Sequence, residues 1–378
     1  MAGIYLHIPF CKQACFYCDF HFSTNFGKKS EMVEAIKKEL SLRANELEGQ
    51  KIETIYFGGG TPSVLSIDEI QDLLKAIKDQ FEVTNSPEIT LEANPDDLDS
   101  ETLQKLSKTA INRLSIGVQS FNENDLKIMN RAHNGTEAIE CLKEASQLFD
   151  NITIDLIYGV PGMTLEQWDL NIRTALRFGV NHISSYALTV EPKTVLAHKI
   201  KKGEYDNPDE AEAAKHFHHL VDVCNSEGFV HYEISNFGKP DYFSKHNTSY
   251  WKGVDYLGVG PSAHSFNGKQ RSWNISNNSK YLKAINANQL PLTIEDLTVS
   301  DQYNEYVMTG LRTIWGVSFT VILEKFGASY LSHMQLCAQP FIDNGKLKLI
   351  TKNDNQFLLT TEQGKFFADG IASELFMI

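Results

Sequence analysis

The sequence is 378 residues long, 42% hydrophobic and 22% charged, with a formal net charge of -13. This length allows two domains or one large domain with an appendage, and the acidic balance argues against a general affinity for the nucleic acid backbone. The sequence contains neither an apolar run long enough to span a bilayer nor the basic and apolar segments of a signal peptide. We therefore expect a cytoplasmic protein whose cysteines stay reduced.

The first half of the chain alternates short apolar runs with amphipathic stretches, in repeats of about 30 residues. The apolar runs predict six strands: Gly3–Ile8, Thr54–Phe57, Glu88–Ala93, Arg113–Gly117, Ile152–Tyr158 and His182–Ala187. The stretches between them have helical spacing, and one opens with a capping box formed by Ser66 and Glu69. This alternation predicts parallel strands with right-handed helical crossovers, in a doubly wound sheet or in an open or closed barrel.

The pattern changes after the sixth predicted strand. Residues 209–228 form a predicted helix with three histidines, and residues 246–251 read HNTSYW. Further on, two predicted helices precede a hairpin that turns at residues 353–355, which is typical of a small winged-helix-like module. We therefore predict a barrel domain over residues 1–235, a connecting segment over 236–295 and a C-terminal domain over 296–378.

Polar residues and glycines follow or end the predicted strands. The segment 11–18 follows the first strand and 58–62 the second; Glu92 ends the third, 117–119 ends the fourth, and Asp155 lies in the fifth. Each feature alone is equally consistent with a capping or turn role. Because the carboxyl ends of parallel strands meet at one rim, five such features in register predict a shared site there.

Three cysteines, Cys11, Cys15 and Cys18, follow the first strand in the pattern C-x3-C-x2-C. A structural zinc site needs a fourth ligand, which His21 would have to supply because the sequence has no second cysteine pair. An iron–sulfur cluster held by only three cysteines instead keeps one iron open to another ligand. The spacing by itself leaves both alternatives open.

Together with the glycine-rich end of the second strand, the cysteine pattern resembles the signature of the radical S-adenosylmethionine superfamily. The resemblance implies an α/β fold, namely a partial (β/α)6 barrel, here followed by the α+β winged-helix-like module. It also implies a [4Fe-4S] cluster on Cys11, Cys15 and Cys18, whose fourth iron is chelated by the amino and carboxylate groups of S-adenosylmethionine. Glycine at 58–60 would allow the backbone to approach that ligand closely.

Longer strings resemble the oxygen-independent coproporphyrinogen III oxidase group. They include YLHIPFC, YFGGGTPS, LEANPDD, RLSIGVQSF, MNRAH, IDLIYGVPG and YALTVEP, within residues 4–192. The resemblance implies that the cluster-bound S-adenosylmethionine is contacted by Tyr5, Gly59, Glu92 and Ala187. A second S-adenosylmethionine in that group implies contacts from Tyr17, Gly60, Thr61, Gln119, Arg131 and Asp155.

The chain departs from the decarboxylating oxidases in two respects. Those enzymes have one more cysteine where this sequence has Phe20, and they carry an N-terminal extension ahead of the position of Tyr5. Both departures resemble the shorter relatives that bind heme and act as heme chaperones. Those relatives share an HNxxYW string, which implies heme contact by His246, Tyr250 and Trp251. Imidazole is a normal axial ligand of heme iron, and aromatic rings pack against a flat macrocycle.

Two functions follow from these observations. The first is a heme chaperone that delivers heme to respiratory-chain proteins while retaining the cluster and S-adenosylmethionine, and Phe20 and the short N-terminus favour it. The alternative is a coproporphyrinogen III oxidase that forms protoporphyrinogen IX, so the sequence leaves enzymatic activity open. Dimerisation and peripheral membrane contact would suit heme delivery, although no segment of the sequence specifies either.

Overall fold

The computed structural model describes all residues from Met1 to Ile378, which form fifteen strands and fifteen α-helices. The strands are β1 (Ala2–Ile8), β2 (Ile52–Gly59), β3 (Val83–Ala93), β4 (Arg113–Gln119), β5 (Ile152–Tyr158), β6 (His182–Ala187), β7 (Val230–Glu233), β8 (Asn236–Gly238), β9 (Tyr256–Val259), β10 (His264–Phe266), β11 (Gln270–Asn274), β12 (Leu292–Asp296), β13 (Val317–Ser318), β14 (Leu347–Lys352) and β15 (Asn355–Thr360). The helices are α1 (Lys29–Leu42), α2 (Ile67–Gln80), α3 (Ser100–Leu106), α4 (Glu123–Met129), α5 (Gly135–Leu148), α6 (Leu165–Leu176), α7 (Val195–Lys201), α8 (Glu210–Ser226), α9 (Lys245–Trp251), α10 (Asn278–Asn286), α11 (Val299–Leu311), α12 (Phe319–Phe326), α13 (Ala328–Asp343), α14 (Glu362–Lys365) and α15 (Ala368–Glu374).

The strands β1 to β6 pair in sequence order and in parallel, with helical crossovers, as the alternating pattern predicts. Strands β1, β4 and β5 are buried almost throughout, as is usual for parallel strands inside an α/β sheet. The capping box predicted at Ser66 and Glu69 is present at the start of α2. The predicted partial (β/α)6 barrel is confirmed, and its sheet is open because its two outermost strands do not pair with each other.

The sheet continues beyond β1 through a part of the chain that follows the barrel in sequence. Strand β9 pairs with β1 in parallel, and β10, β11 and β12 add to it in antiparallel order. On the other side, β8 pairs with β6 and β7 pairs with β8, both in antiparallel, so β7 is the outer strand there. The segment predicted as a connector therefore contributes five strands, β8 to β12, to the twelve-stranded sheet, while the proposed domain boundaries at 235 and 295 stay predictions.

The C-terminal unit has its own core of 13 buried residues, separate from the 64-residue core of the barrel. Helices α11 to α13 pack on a three-stranded sheet in the order β13, β15, β14, which is the predicted winged-helix-like arrangement. The hairpin turns at Asn353 and Asp354, both in the left-handed region with φ of 51° and 60°, as a two-residue hairpin requires. No helix of the structure combines the length and the apolar character needed to cross a membrane.

Candidate functional site

The residues singled out at the strand ends lie around one cavity of about 460 Å³, here called the strand-end cavity. Its lining includes all the sequence-predicted cofactor and metal residues except Tyr5, namely Cys11, Cys15, Tyr17, Cys18, Gly59, Gly60, Thr61, Glu92, Gln119, Arg131, Asp155 and Ala187. They come from β2 to β6 and from the loops that follow β1, β2 and α4. The register of the parallel strands thus gathers residues that are up to 176 positions apart, from Cys11 to Ala187.

The cysteine loop after β1 is fixed by the end of helix α4. The backbone of Phe16 donates to the carbonyl of Met129, and Asn130 donates its side-chain amide to the carbonyl of Ala14 at 2.7 Å. The side-chain amide of Gln13 donates in turn to the carbonyl of Asn130 at 2.9 Å. Asn130 adopts a left-handed φ of 55° as the cap of α4, a conformation that asparagine tolerates better than most residues. The MNRAH string therefore holds the cysteine loop in place.

Arg131 links this loop to two strand ends. Its guanidinium donates to the sulfur of Cys15 at 3.2 Å, to the side chain of Asn94 at 2.6 Å and to the carbonyl of Gly117 at 2.7 Å. The Nε of Arg131 is buried without a partner. A buried unpaired donor is costly, and the hydrogen bonds made by the two Nη groups of Arg131 offset that cost. Asn94 was missed by the sequence reasoning, although its place directly after β3 is the same signal that identified Glu92.

Gly59, the last residue of β2, and Gly60, which follows it, have little room for a side chain. A Cβ at Gly59 would lie 2.6 Å from the ring of His7, and one at Gly60 would lie 2.7 Å from the carbonyl oxygen of Phe10. Gly59 also has a φ of +108°, which L-residues rarely adopt. The backbone at Gly59 and Gly60 therefore forms part of the cavity wall directly.

Burial favours the neutral forms of two thiols and two carboxyl groups in the strand-end cavity. Burial raises the pKa of the Cys11 and Cys18 thiols to about 11. Burial also raises the pKa of Glu92 to about 7 and that of Asp155 to about 6. A hydrogen bond from Tyr56 to Glu92 acts in the opposite direction and limits the rise in the pKa of Glu92. Thiols must lose their protons to bind a metal, and a cationic ligand would favour ionised carboxylates. The cavity is thus suited to a ligand that brings positive charge.

The three residues proposed for heme contact from the HNxxYW string face different surroundings. His246 is buried; its Nδ1 lies 2.7 Å from the hydroxyl of Thr54 and its Nε2 lies 2.7 Å from that of Tyr250. Its ring stacks on that of Tyr56, with the ring centroids 4.9 Å apart. Burial lowers the pKa of His246 to about 3. The indole of Trp251 packs against the guanidinium of Arg312 in the C-terminal unit at 5.0 Å. Both nitrogens of His246 are occupied in this arrangement.

A second and larger cavity, of about 710 Å³, adjoins the first and is here called the aromatic cavity. Its lining includes Tyr5, Phe20, Tyr250, Tyr256, His264 and Arg271, and it shares Asp19 and Phe20 with the strand-end cavity. Tyr250 is the one member of the HNxxYW group that lines it. His264 and Arg271 belong to β10 and β11, whose place beside β9 and β1 has no local sequence signal.

The zinc alternative would place His21 beside the three cysteines. The Nε2 of His21 instead lies 2.7 Å from the side-chain oxygen of Asn278, at the start of α10. No three Cys, His, Asp or Glu side chains converge on one point as the ligands of a single ion would. Three thiols spread along a cavity wall suit a larger group, since each cysteine of an iron–sulfur cluster binds a different iron.

The fold and the strand-end site define the class of radical S-adenosylmethionine proteins. The family model described as the Radical SAM superfamily matches residues 5–175. Membership implies a [4Fe-4S] cluster and S-adenosylmethionine as cofactors. The structure of coproporphyrinogen III oxidase HemN from Escherichia coli, described as a radical SAM enzyme, superimposes with a TM-score of 0.85 over 100% of this chain and 90% of that one. At 22% identity, this likeness establishes the fold.

Relatives of known name extend along nearly the whole chain. A heme chaperone HemW of Lactococcus lactis is 36% identical over 363 residues, covering 95% of this chain and 93% of the relative. A heme chaperone HemW of Bacillus subtilis is 32% identical and covers 98% of both chains. The chain therefore belongs to the HemW family of radical SAM proteins.

Proposed function

We propose that this chain binds heme and delivers it to respiratory-chain heme proteins, with a [4Fe-4S] cluster and S-adenosylmethionine held in the strand-end cavity. The observation that carries the proposal is the aromatic cavity beside the strand-end cavity, in a chain similar over its length to relatives named heme chaperones. Two adjoining cavities allow the cofactors and a flat, largely apolar cargo to be held at the same time.

The donor set of the strand-end cavity fits the implied cofactors. Cys11, Cys15 and Cys18 supply three thiols on one wall, and the cluster, when bound, would supply one iron with an open coordination position. The guanidinium of Arg131 can pair with the carboxylate of the second S-adenosylmethionine, and Glu92 can accept from the ribose hydroxyls of the cluster-bound one. Tyr17, Thr61, Gln119 and Asp155 remain candidates for a second S-adenosylmethionine, and Gly59, Gly60 and Ala187 for backbone contacts.

Phe20 bears on the choice between the two functions proposed from the sequence. Its ring is 69% exposed and lies where the two cavities meet. An exposed apolar ring in that place is suited to packing against a macrocycle, whereas a thiol would be suited to metal binding or redox chemistry. This position therefore supports cargo binding over decarboxylation.

The test uses the full-length protein purified without oxygen. We expect about four irons per chain, no zinc, and a brown colour. Changing Cys18 to serine should abolish iron binding, whereas the matched variant Cys337→Ser, in the C-terminal unit, should retain it.

We also expect the absorption spectrum to show that heme binds. No protoporphyrinogen IX should form from coproporphyrinogen III when S-adenosylmethionine and a reductant are supplied. Zinc in place of iron would overturn the cluster, and protoporphyrinogen formation would overturn the preference for a chaperone.

A further inference from the structure

The aromatic cavity has the size and walls expected for a tetrapyrrole. Its volume of about 710 Å³ lies inside the range of roughly 300–1,000 Å³ typical of cofactor pockets. The rings of Phe20, Tyr250, Tyr256 and Phe266 form apolar parts of its wall. A macrocycle in this position would bury its faces against aromatic side chains, which favour contact with flat π-systems.

Three histidines line this cavity, and only one of them has both ring nitrogens available. His7 is hydrogen-bonded through Nδ1 to the hydroxyl of Tyr5 and through Nε2 to the carbonyl of His21. His21 is bonded through Nε2 to Asn278. His264 is exposed, and its ring is held by stacking on Trp273, the residue directly opposite on β11, at 5.8 Å. Neither ring nitrogen of His264 is held by a hydrogen bond, so either is available to bind a metal, as neutral imidazole commonly does.

A cationic side chain, that of Arg271, also lines the aromatic cavity. The guanidinium of Arg271 makes one contact, from Nη2 to the carboxylate of Glu305 at 2.8 Å, and its side chain is 46% exposed. A guanidinium has five N–H donors, so Arg271 can keep this ion pair and also bind a carboxylate of the ligand. Glu305 comes from α11 of the C-terminal unit, which therefore closes one side of the cavity.

From these observations we infer that the aromatic cavity is the heme seat, with His264 as the axial ligand of the iron and Arg271 as the partner of a propionate. The inference rests on the proposed heme-binding function and goes beyond it, because it moves the ligand from the HNxxYW helix to the β10–β11 hairpin. Coordination forms one bond from a neutral imidazole nitrogen to the iron and needs no redox step.

Two probes separate the roles of the two residues in the full-length, cluster-containing protein. Ferric heme has the iron and the propionates, whereas metal-free protoporphyrin IX has the propionates alone. His264→Ala should weaken heme binding by about tenfold or more and shift the Soret band, while leaving protoporphyrin binding within about twofold. Arg271→Gln should weaken both ligands by about tenfold, as expected for loss of a charge-assisted hydrogen bond.

Matched variants control for nonspecific effects. His218→Ala removes an exposed histidine of α8 outside the cavity, and Arg173→Gln breaks an exposed ion pair with Asp169 on α6; both should bind heme and protoporphyrin as the parent does. If the parent binds heme and His264→Ala binds it with the same affinity and spectrum, the assigned seat is wrong while the chaperone function stands. If the parent binds neither heme nor protoporphyrin, both are overturned.

Discussion

At the scale of single residues, the strand-end cavity holds a carboxyl group whose protonation should control ligand binding. Burial raises the pKa of Glu92 from 4.5 to about 7, and the nearby carboxylate of Asp155 adds to the shift. The folded, ligand-free protein therefore holds a proton on Glu92 that the unfolded chain loses at lower pH. By linkage, this group stabilises the fold at low pH, and its contribution is lost as the pH rises from about 4.5 through about 7. The affinity for a cationic ligand should instead rise with pH, because such a ligand binds the ionised carboxylate of Glu92.

We predict that the affinity for S-adenosylmethionine rises by about tenfold between pH 6 and pH 8 through the ionisation of Glu92. Calorimetric titration at several pH values measures this dependence. In Glu92→Gln the affinity should be lower and its dependence on pH weaker, because the side chain can no longer ionise. Glu191→Gln, at the rim of the same cavity, is the matched control and should keep the pH profile. Identical profiles in the parent and in Glu92→Gln would contradict the prediction.

At the scale of elements, the short helix α9 connects three parts of the molecule. Its His246 lies in the barrel interior, where a Cβ added to Gly3 of β1 would be 3.3 Å from the ring. Tyr250, one turn later, lines the aromatic cavity, and Trp251 contacts Arg312 of the C-terminal unit. The backbone amides of Lys245 and His246 donate to the carboxylate of Glu88 on β3. The spacing of HNxxYW therefore suits a helix that faces the barrel, the cavity and the C-terminal unit at once.

We predict that His246→Ala lowers the free energy of unfolding by about 2–4 kcal/mol, because it leaves a cavity and removes the partner of the Thr54 hydroxyl. Urea unfolding measures this loss. Heme affinity of the folded variant should stay close to that of the parent, since the iron ligand inferred here is His264. His218→Ala, with an exposed side chain, should change neither quantity. Loss of heme affinity without loss of stability would instead identify His246 as a ligand.

At the scale of the whole molecule, the sequence predicts the barrel well and the rest of the sheet poorly. The six parallel strands follow from local apolar runs, and their order follows from the crossover rule. Those two facts are enough to bring Cys11 and Asp155 to one cavity. The pairing of β9 with β1 joins Gly3 to Tyr256, 253 positions apart, and no local pattern specifies such a contact. His264 and Arg271 depend on this pairing, which explains why the aromatic cavity could not be predicted.

The barrel and the C-terminal unit meet at a buried ion pair. Arg312 donates to the fully buried carboxylate of Glu233 at 2.9 Å and to the exposed carboxylate of Asp369 at 2.5 Å. The backbone of Ile234 also donates to the carbonyl of Arg312, and that of Ile314 to the carbonyl of Tyr232. Because Glu305 of the C-terminal unit lines the aromatic cavity, the junction at Arg312 should decide whether that cavity keeps its shape.

We predict that Arg312→Met lowers the free energy of unfolding by about 3–5 kcal/mol, because it leaves the charge of Glu233 buried without its cationic partner, with hydrogen bonds only from Ser235 and Asn236. Adding Glu233→Gln should recover much of this loss, so the two effects should be strongly non-additive in a double-mutant cycle. Lys75→Met, which breaks an exposed pair with Asp79, should leave the unfolding midpoint almost unchanged.

Limited proteolysis near residues 296–298 and heme titration of Arg312→Met report on docking of the C-terminal unit. Faster cleavage should accompany weaker heme binding. Simple additivity in the cycle, or loosened docking with unchanged heme affinity, would show that the cavity does not depend on this junction.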